Sequence, residues 1–308
     1  MNSLRTPVEL NLLLIKQQRT LKSPPITSIN RSAMNHLPIP FKPCLATSCL
    51  IFLLAACSSL NTNTTTASSE DTLNKYYSLQ GQGTPTIVLQ AGLGDDKSAW
   101  NPVIHDLARY HQVIALDRPG HANHPATDAP RDPCTIAAEQ RAMLQATGVT
   151  PPYLVIGHSL GGTYEFVYAK LYPQDVAGFV LLDPTPLHHW ENMQRAAPQA
   201  ATLLKVLRTV AFSRTDKAEF DEQSNCLERL DLSKPLTQPG KVLVSARRRP
   251  EEKGDFETML NRTRQQWVGL TGVSKLNVIQ DSGHYIQKDS PEDVLQAVQE
   301  VTDKIKGK

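Results

Sequence analysis

Residues 157–162 read Gly-His-Ser-Leu-Gly-Gly and place one serine among glycines, directly after the short apolar run at residues 153–156. In the pattern Gly-x-Ser-x-Gly the turn has no room for side chains on either flank, so the hydroxyl of Ser159 stands out from the end of the strand. A phosphate-binding loop would be longer and end in Gly-Lys-Ser or Gly-Lys-Thr, and a dinucleotide site would need Gly-x-Gly-x-x-Gly after a strand; neither is found. The pattern therefore predicts that Ser159 is a nucleophile.

Such a serine needs a base, because its hydroxyl is a poor nucleophile near neutral pH until a positioned group takes its proton. Of the nine histidines, His284 alone follows the last predicted strand and precedes the last predicted helix. Loops at the carboxyl ends of parallel strands share one rim, so His284 and Ser159 can meet although they lie far apart in the chain. The sequence predicts no metal and no cofactor, since the other loop histidines form no coherent ligand set. These are His121, His124, His188 and His189.

Attack on a carbonyl creates an oxyanion, which needs two hydrogen-bond donors. The N–H of Leu160 follows the nucleophile at the start of a helix. The N–H of Leu93 comes from the turn Ala-Gly-Leu-Gly at residues 91–94, after an earlier strand. Both donors belong to the backbone, so the leucine side chains are incidental. We predict an oxyanion hole formed by Leu93 and Leu160.

Short apolar runs and helical patterns alternate along the chain and would position these groups. The runs are continuous rather than alternating, which suits strands covered on both faces of a parallel sheet. Predicted helices between them lie near residues 98–107, 135–147, 160–171 and 290–305. Strand and helix in alternation predict an α/β fold around a mostly parallel sheet. The predicted strands are residues 86–90, 113–116, 153–156, 178–182, 241–244 and 276–279.

The segment from about residue 188 to 236 interrupts this alternation. It favours helix and carries no strand signal. An insertion of about 50 residues between two strands is typical of a lid over a site.

With these pieces in order, the chain resembles the α/β-hydrolase family over roughly residues 75–305. The matching motifs are Gly-Leu-Gly at 92–94, Asp-Arg-Pro-Gly at 117–120, the serine turn, and Ser-Gly-His at 282–284. The resemblance implies an α/β-hydrolase fold, a mostly parallel sheet flanked by helices with a small helical lid inserted after the sixth strand. It also implies hydrolysis of a carboxylic ester, or less often an amide, through an acyl-serine. It names no substrate, because this fold hosts many chemistries.

The third member of a catalytic triad must be a carboxylate that orients His284 and stabilises its charged form. Many members of the family place it after the strand that here spans residues 241–244, but residues 245–250 contain no acid. Asp183 ends the preceding strand directly, where its carboxylate would point at the rim, although Asp-Pro is also a common turn. We predict the triad Ser159, His284 and Asp183. Three acids beyond residue 250 are the alternatives: Glu251, Glu252 and Asp255.

The first 74 residues have a different character. Residues 45–56 are mostly apolar and too few for a bilayer span of about 20 residues, but they have the length of a signal-peptide core. Leu-Ala-Ala-Cys at 54–57 resembles the bacterial lipobox, in which cleavage before the cysteine leaves a thiol that carries lipid. We expect residues 1–33 to be an extension that results from a start site assigned too early. We expect residues 34–56 to be a lipoprotein-type signal peptide and residues 57–74 a flexible tether. Cys57 is the expected lipidation site, and a buried helix ending in cysteine is the alternative.

Composition sets the outer limits on function. A chain of 308 residues that is 40% apolar can build one large domain at residues 75–305, and a net charge of +2 argues against a nucleic-acid surface. Export would place Cys134 and Cys226 in an oxidising compartment, where a disulfide could persist. Two independent buried thiols are the alternative.

Three functions follow from these residues. The first is a serine hydrolase that acts on small or medium carboxylic esters and is lipid-anchored to a bacterial membrane, on the periplasmic side of the outer membrane in a Gram-negative host. The second is an aminopeptidase or amidase, which would use acids of the lid to hold a substrate amine; a solvated helix face is the preferred explanation of those acids. The third is a binding protein, against which the presence of both Ser159 and His284 argues. The acids in question are Glu191, Asp216, Glu219, Asp221 and Glu222.

Overall fold

A computed structural model describes residues 75–307 of the chain, without the side chain of Glu251. Its centre is a seven-stranded sheet in the order β1-β3-β2-β4-β5-β6-β7, in which β1 pairs antiparallel with β3 and every other pair is parallel. The carboxyl ends of the six parallel strands therefore share one rim. The strands are β1 (Tyr77–Gln80), β2 (Thr86–Gln90), β3 (Val113–Leu116), β4 (Tyr153–His158), β5 (Val176–Leu182), β6 (Gly240–Ser245) and β7 (Asn277–Ile279).

Helices cover both faces of the sheet. Ile87 and Leu89 of β2 pack into the apolar cluster on one face, and Val88 between them packs into the cluster on the other. This two-sided burial is why the parallel strands are continuous apolar runs. The α-helices within residues 75–307 are α1 (Asn101–Leu107), α2 (Pro133–Ala146), α3 (Leu160–Leu171), α4 (His189–Ala196), α5 (Pro198–Ala211), α6 (Arg214–Asp221), α7 (Asp255–Thr263), α8 (Gln266–Thr271), α9 (Ile286–Asp289) and α10 (Pro291–Ile305).

The segment between β5 and β6 is helical, and α4, α5 and α6 fall within the predicted range 188–236. We call α4 to α6 with their connections the helical insertion. Within the described residues it follows the fifth strand in chain order, β5, whereas the prediction placed it after the sixth. Met193 of α4, Ala201 of α5 and Met259 of α7 form a small apolar cluster that joins the insertion to the segment after β6.

Cys134 and Cys226 form a disulfide, so the alternative of two independent thiols is wrong. Cys134 lies in the first turn of α2, and Cys226 follows α6. The bond therefore ties the helical insertion to a helix that packs on the sheet.

The predictions for the first part of the chain lie outside the described residues. They are the extension at 1–33, the signal peptide at 34–56, the lipidation site Cys57 and the tether at 57–74. Among the residues that are described, no helix has the length and apolar character of a membrane span.

Candidate active site

Ser159 lies at the junction of β4 and α3, in a turn held very tightly. A Cβ on Gly157 would lie 2.3 Å from the carbonyl oxygen of Gly161, and a Cβ on Gly161 would lie 2.4 Å from that of Gln90. The turn therefore excludes side chains at both positions, which is the reason for the glycine pattern. Ser159 itself has φ 55° and ψ −122°, a backbone conformation rare for a residue with a side chain. Its N–H donates to the carbonyl of Leu182 at 2.9 Å, which anchors the strained residue.

His284 lies in the loop between β7 and α9 and reaches both predicted partners. Its Nε2 is 2.9 Å from Oγ of Ser159, and its Nδ1 is 2.7 Å from Oδ2 of Asp183. An ionised carboxylate only accepts hydrogen bonds, so Nδ1 carries the proton and Nε2 is free to accept from the serine hydroxyl. The His284 side chain is 44% exposed.

Asp183 follows β5 directly, as predicted, and is held from two sides. Its N–H donates to the carbonyl of Leu243 at 2.7 Å, and its φ of 42° turns the side chain toward the rim. Ser245, the last residue of β6, donates its N–H to Oδ1 at 3.2 Å and its hydroxyl to Oδ2 at 2.8 Å. Burial acts to raise the pKa of Asp183, but the hydrogen bond and charge of His284 and the two hydrogen bonds of Ser245 outweigh it and lower the pKa. The carboxylate is therefore ionised near neutral pH.

Of the three alternative acids, two have side chains that the structure describes, and neither is hydrogen-bonded to His284. Glu252 pairs with Arg249 at 2.7 Å. Asp255 is exposed at the start of α7. Ser245 occupies the end of β6, which carries no acid, and it supports Asp183 from there. The sequence did not single out Ser245, because a lone serine at a strand end carries no pattern of its own.

The two predicted oxyanion donors belong to backbone segments on either side of the serine. Leu160 is the first residue of α3, where N–H groups lack acceptors within the helix. Leu93 follows Gly92, where an added Cβ would lie only 3.1 Å from Cβ of Ser159, so this turn lies against Ser159. Among the described residues neither N–H has a protein acceptor.

His158, the residue before Ser159, is a further member of the candidate site. It is buried, and its Nε2 is 2.9 Å from the backbone carbonyl of His284. Burial and the neighbouring His284 lower the pKa of His158 to about 3, so its ring is neutral. A neutral ring that meets a carbonyl through Nε2 must carry its proton there, and His158 thereby fixes the loop that holds His284. The serine motif leaves its second position open, so no sequence pattern selects His158.

The acids of the helical insertion do not form the open cluster that an aminopeptidase site would need. The expectation of a solvated helix face is wrong for Glu219, which is fully buried against Arg118. The other four are each engaged by a neighbour. Glu191 accepts from Ser224, Asp216 from the N–H of Ser213, Asp221 from Arg208 and Glu222 from the N–H of Arg131.

The strand order, the serine turn and the three hydrogen-bonded side chains define the class of this protein: it has the α/β-hydrolase fold. A family model described as alpha/beta hydrolase fold matches residues 85–224. The solved structure of a thermophilic esterase from Thermogutta terrifontis superposes with a TM-score of 0.56 at 19% identity, covering 74% of this chain and 93% of that one.

Two relatives are similar in sequence over shorter stretches. Uncharacterized protein YqjL of Bacillus subtilis is 32% identical over 105 residues, which are 34% of this chain and 42% of the relative. RutD of Escherichia coli, named for a proposed carbamate hydrolase activity, is 38% identical over 93 residues, which are 30% of this chain and 35% of RutD. The matched region therefore spans less than half of either relative.

Proposed function

We propose that this protein is a serine hydrolase that cleaves carboxylic esters through an acyl-serine intermediate. The observation that carries the proposal is the unbroken hydrogen-bonded chain from Asp183 through His284 to Ser159. Each member has the state its role requires: an ionised acid, a histidine with Nε2 as acceptor, and a serine held in a strained turn at the rim. The esterase neighbour supports the same class of reaction.

Acylation begins when the substrate carbonyl lies against Ser159. Oγ attacks the carbonyl carbon while its proton passes to Nε2 of His284, and Asp183 stabilises the resulting imidazolium through Nδ1–H. The carbonyl oxygen becomes an oxyanion, which the N–H groups of Leu93 and Leu160 bind. When the tetrahedral intermediate collapses, the bond to the alcohol oxygen breaks and His284 returns the proton to the leaving alcohol.

Deacylation repeats these steps with water. His284 accepts a proton from water as the water oxygen attacks the acyl carbon, and the same two N–H groups bind the second oxyanion. Collapse releases the carboxylic acid and returns the proton from His284 to Oγ of Ser159.

An amide or carbamate substrate is the second candidate, since the same steps would expel an amine. The RutD resemblance favours it, but the partnered acids of the helical insertion leave no cluster to hold a substrate amine. We therefore place esters first. A non-catalytic binding role has less support, because binding alone does not require a base aligned on a strained serine.

The test compares wild-type protein with Ser159→Ala on p-nitrophenyl esters of increasing chain length and on aminoacyl anilides. We expect wild type to hydrolyse esters and to react with a fluorophosphonate at Ser159, and the variant to lose about 10⁴-fold or more in rate. If Ser159→Ala keeps more than a tenth of the wild-type rate, the assignment of Ser159 as the nucleophile is wrong. Faster cleavage of anilides than esters would select the amidase.

We further propose that the protein is exported and anchored by lipid on Cys57, with residues 57–74 as a tether. The lipobox-like sequence before Cys57 supports this location. The Cys134–Cys226 disulfide agrees with it, because disulfides persist in oxidising compartments such as the bacterial periplasm. In a Gram-negative host, Ser58 after the cysteine favours the outer membrane.

A further inference from the structure

Arg118, in the loop after β3, has an acceptor for each of the five N–H bonds of its guanidinium group. Nε and Nη2 donate to the two carboxylate oxygens of Glu219, both at 2.9 Å. Nη1 donates to Oε1 of Gln90 at 3.0 Å and to the carbonyl of Ala91 at 2.7 Å. The second hydrogen of Nη2 reaches the carbonyl of Gly92 at 2.8 Å. A lysine, with three donors on one atom, could not reproduce this planar arrangement.

The contact with Gly92 bears directly on the oxyanion site. The carbonyl of Gly92 and the N–H of Leu93 belong to one planar trans peptide, so they point in opposite directions. A donor that fixes the carbonyl therefore also fixes the direction of the N–H. Because Gly92 contacts Ser159, a rotation of this peptide would change the donor that faces the reacting carbonyl.

The group that holds Arg118 comes from the helical insertion. Glu219 lies in α6, and its side chain is fully buried. It also accepts from Nε2 of His121 at 3.0 Å and from Arg131 at 3.4 Å. Burial acts to raise the pKa of Glu219, but the charge of Arg118 outweighs it and lowers the pKa well below its usual range. The buried pair is therefore ionised, and separating its members would leave an unpaired charge in the interior.

We propose that Arg118 is a positioning residue of the oxyanion site, and that Glu219 of the helical insertion holds Arg118 in the orientation that aims the Leu93 N–H. The inference rests on the proposed function, because an oxyanion site has a role only in a hydrolase. By this route the insertion contributes to catalysis indirectly, through Glu219, Arg118 and the peptide bond between Gly92 and Leu93.

The test is Arg118→Lys, with Arg131→Lys as the matched control. Arg131 is an equally buried arginine that also contacts Glu219, but it does not touch the carbonyls of residues 91 and 92. The measurements are kcat and KM on a p-nitrophenyl ester and inhibition by a trifluoromethyl ketone, whose adduct with serine carries an oxyanion. Thermal unfolding of each variant reports whether it is folded.

For Arg118→Lys we expect kcat to fall about 10- to 100-fold, with KM changed less than about threefold. Ketone inhibition should weaken by the same factor as kcat/KM. For Arg131→Lys we expect kcat within about threefold of wild type. If Arg118→Lys does not fold, the double variant Arg118→Met/Glu219→Leu removes both charges together and should show the same loss.

Two results would overturn the inference. One is a ketone affinity unchanged in Arg118→Lys. The other is an equal loss of kcat in both lysine variants, which would indicate a general structural role. If wild type reacts with the fluorophosphonate while Arg118→Lys matches wild type, the inference fails and the proposed function stands. If wild type neither cleaves esters nor reacts with the fluorophosphonate, both fail together.

Discussion

Asp183 lies at a strand end that is buried and crowded. The carboxylate accepts from His284 at 2.7 Å and from the hydroxyl of Ser245 at 2.8 Å, and both bonds end on Oδ2. Arg248 donates to the same Ser245 hydroxyl at 2.6 Å, so the Ser245 hydroxyl lies between the Arg248 guanidinium and the Asp183 carboxylate. The hydrogen bonds of His284 and Ser245 and the charge of His284 keep the carboxylate ionised where burial alone would favour its neutral form.

We predict that Asp183→Asn lowers kcat by about 10³- to 10⁴-fold and leaves the fold intact. The amide has nearly the size of the carboxylate, but it cannot stabilise the imidazolium that forms when His284 takes the serine proton. Steady-state kinetics on a p-nitrophenyl ester, with circular dichroism for the fold, measures the effect. Glu252→Gln is the control, since Glu252 pairs with Arg249, and its activity should match wild type. An active Asp183→Asn beside an inactive Glu252→Gln would move the acid to the later loop.

The sequence predicted which side chains meet here, but not what surrounds them. Ser159 carries a motif, and the order of the elements selected His284 and Asp183. Ser245 and His158 support them through single hydrogen bonds to a carboxylate and to a backbone carbonyl. Contacts of this kind depend on how neighbouring strands align, and no spacing along the chain encodes that alignment.

At the scale of elements, a buried series of hydrogen-bonded polar side chains joins α3 to the turn at residues 91–94. Glu165 of α3 accepts from Gln140 of α2 at 3.0 Å, and Gln140 accepts from Gln90 at 2.7 Å. Gln90 in turn accepts from Arg118 at 3.0 Å. Glu165 is fully buried, and burial raises its pKa to about 8, although the bond from Gln140 acts to lower it. The side chain is therefore mostly protonated at neutral pH.

This protonation makes stability depend on pH in a direction opposite to that of most carboxylates. Between about pH 4.5 and 8 the folded state holds a proton on Glu165 that the unfolded chain has lost, so stability falls as the pH rises. We predict that Glu165→Gln removes this slope. Relative to wild type, the variant should gain about 2 kcal/mol in free energy of unfolding from pH 5 to pH 7.

Urea denaturation of both proteins at the two pH values measures that difference. The buried histidines, such as His158 and His189, are present in both proteins, so their own titrations cancel in the comparison. Parallel pH curves for the two proteins would show that Glu165 is ionised in the fold and would contradict the prediction.

The elements themselves were predictable where burial is two-sided. The continuous apolar runs located the parallel strands to within a few residues, because such strands need apolar side chains on both faces. β1 was missed, since Tyr77–Gln80 is a partly exposed edge strand with no apolar run. The helical insertion was predicted as helical, but the burial of Glu219 was not. A charged residue on a helix is usually solvated, and its partner Arg118 lies on a distant loop.

At the scale of the whole molecule, two kinds of bond fasten the helical insertion to the rest of the described chain. The disulfide joins Cys226 to Cys134 of α2, and the buried ion pair joins Glu219 to Arg118. The disulfide and the ion pair both lead to segments that lie beside the turn at residues 91–94. The disulfide closes a long loop with a sequence separation of 92, and cross-links of such loops remove conformational entropy from the unfolded chain. It can form only where the chain meets an oxidant.

The proposed export and the disulfide therefore make one joint prediction about the location of the protein. In a Gram-negative host, wild type should incorporate labelled palmitate and sediment with membranes, and Cys57→Ala should incorporate none. Cys134 and Cys226 of the exported wild type should resist alkylation until a reductant is added, because the periplasm is kept oxidising. The matched control is Cys49→Ala, which removes a cysteine of the leader ahead of the lipobox and should label like wild type. Unlabelled wild type in the cytoplasm, with both thiols open to alkylation, would refute export.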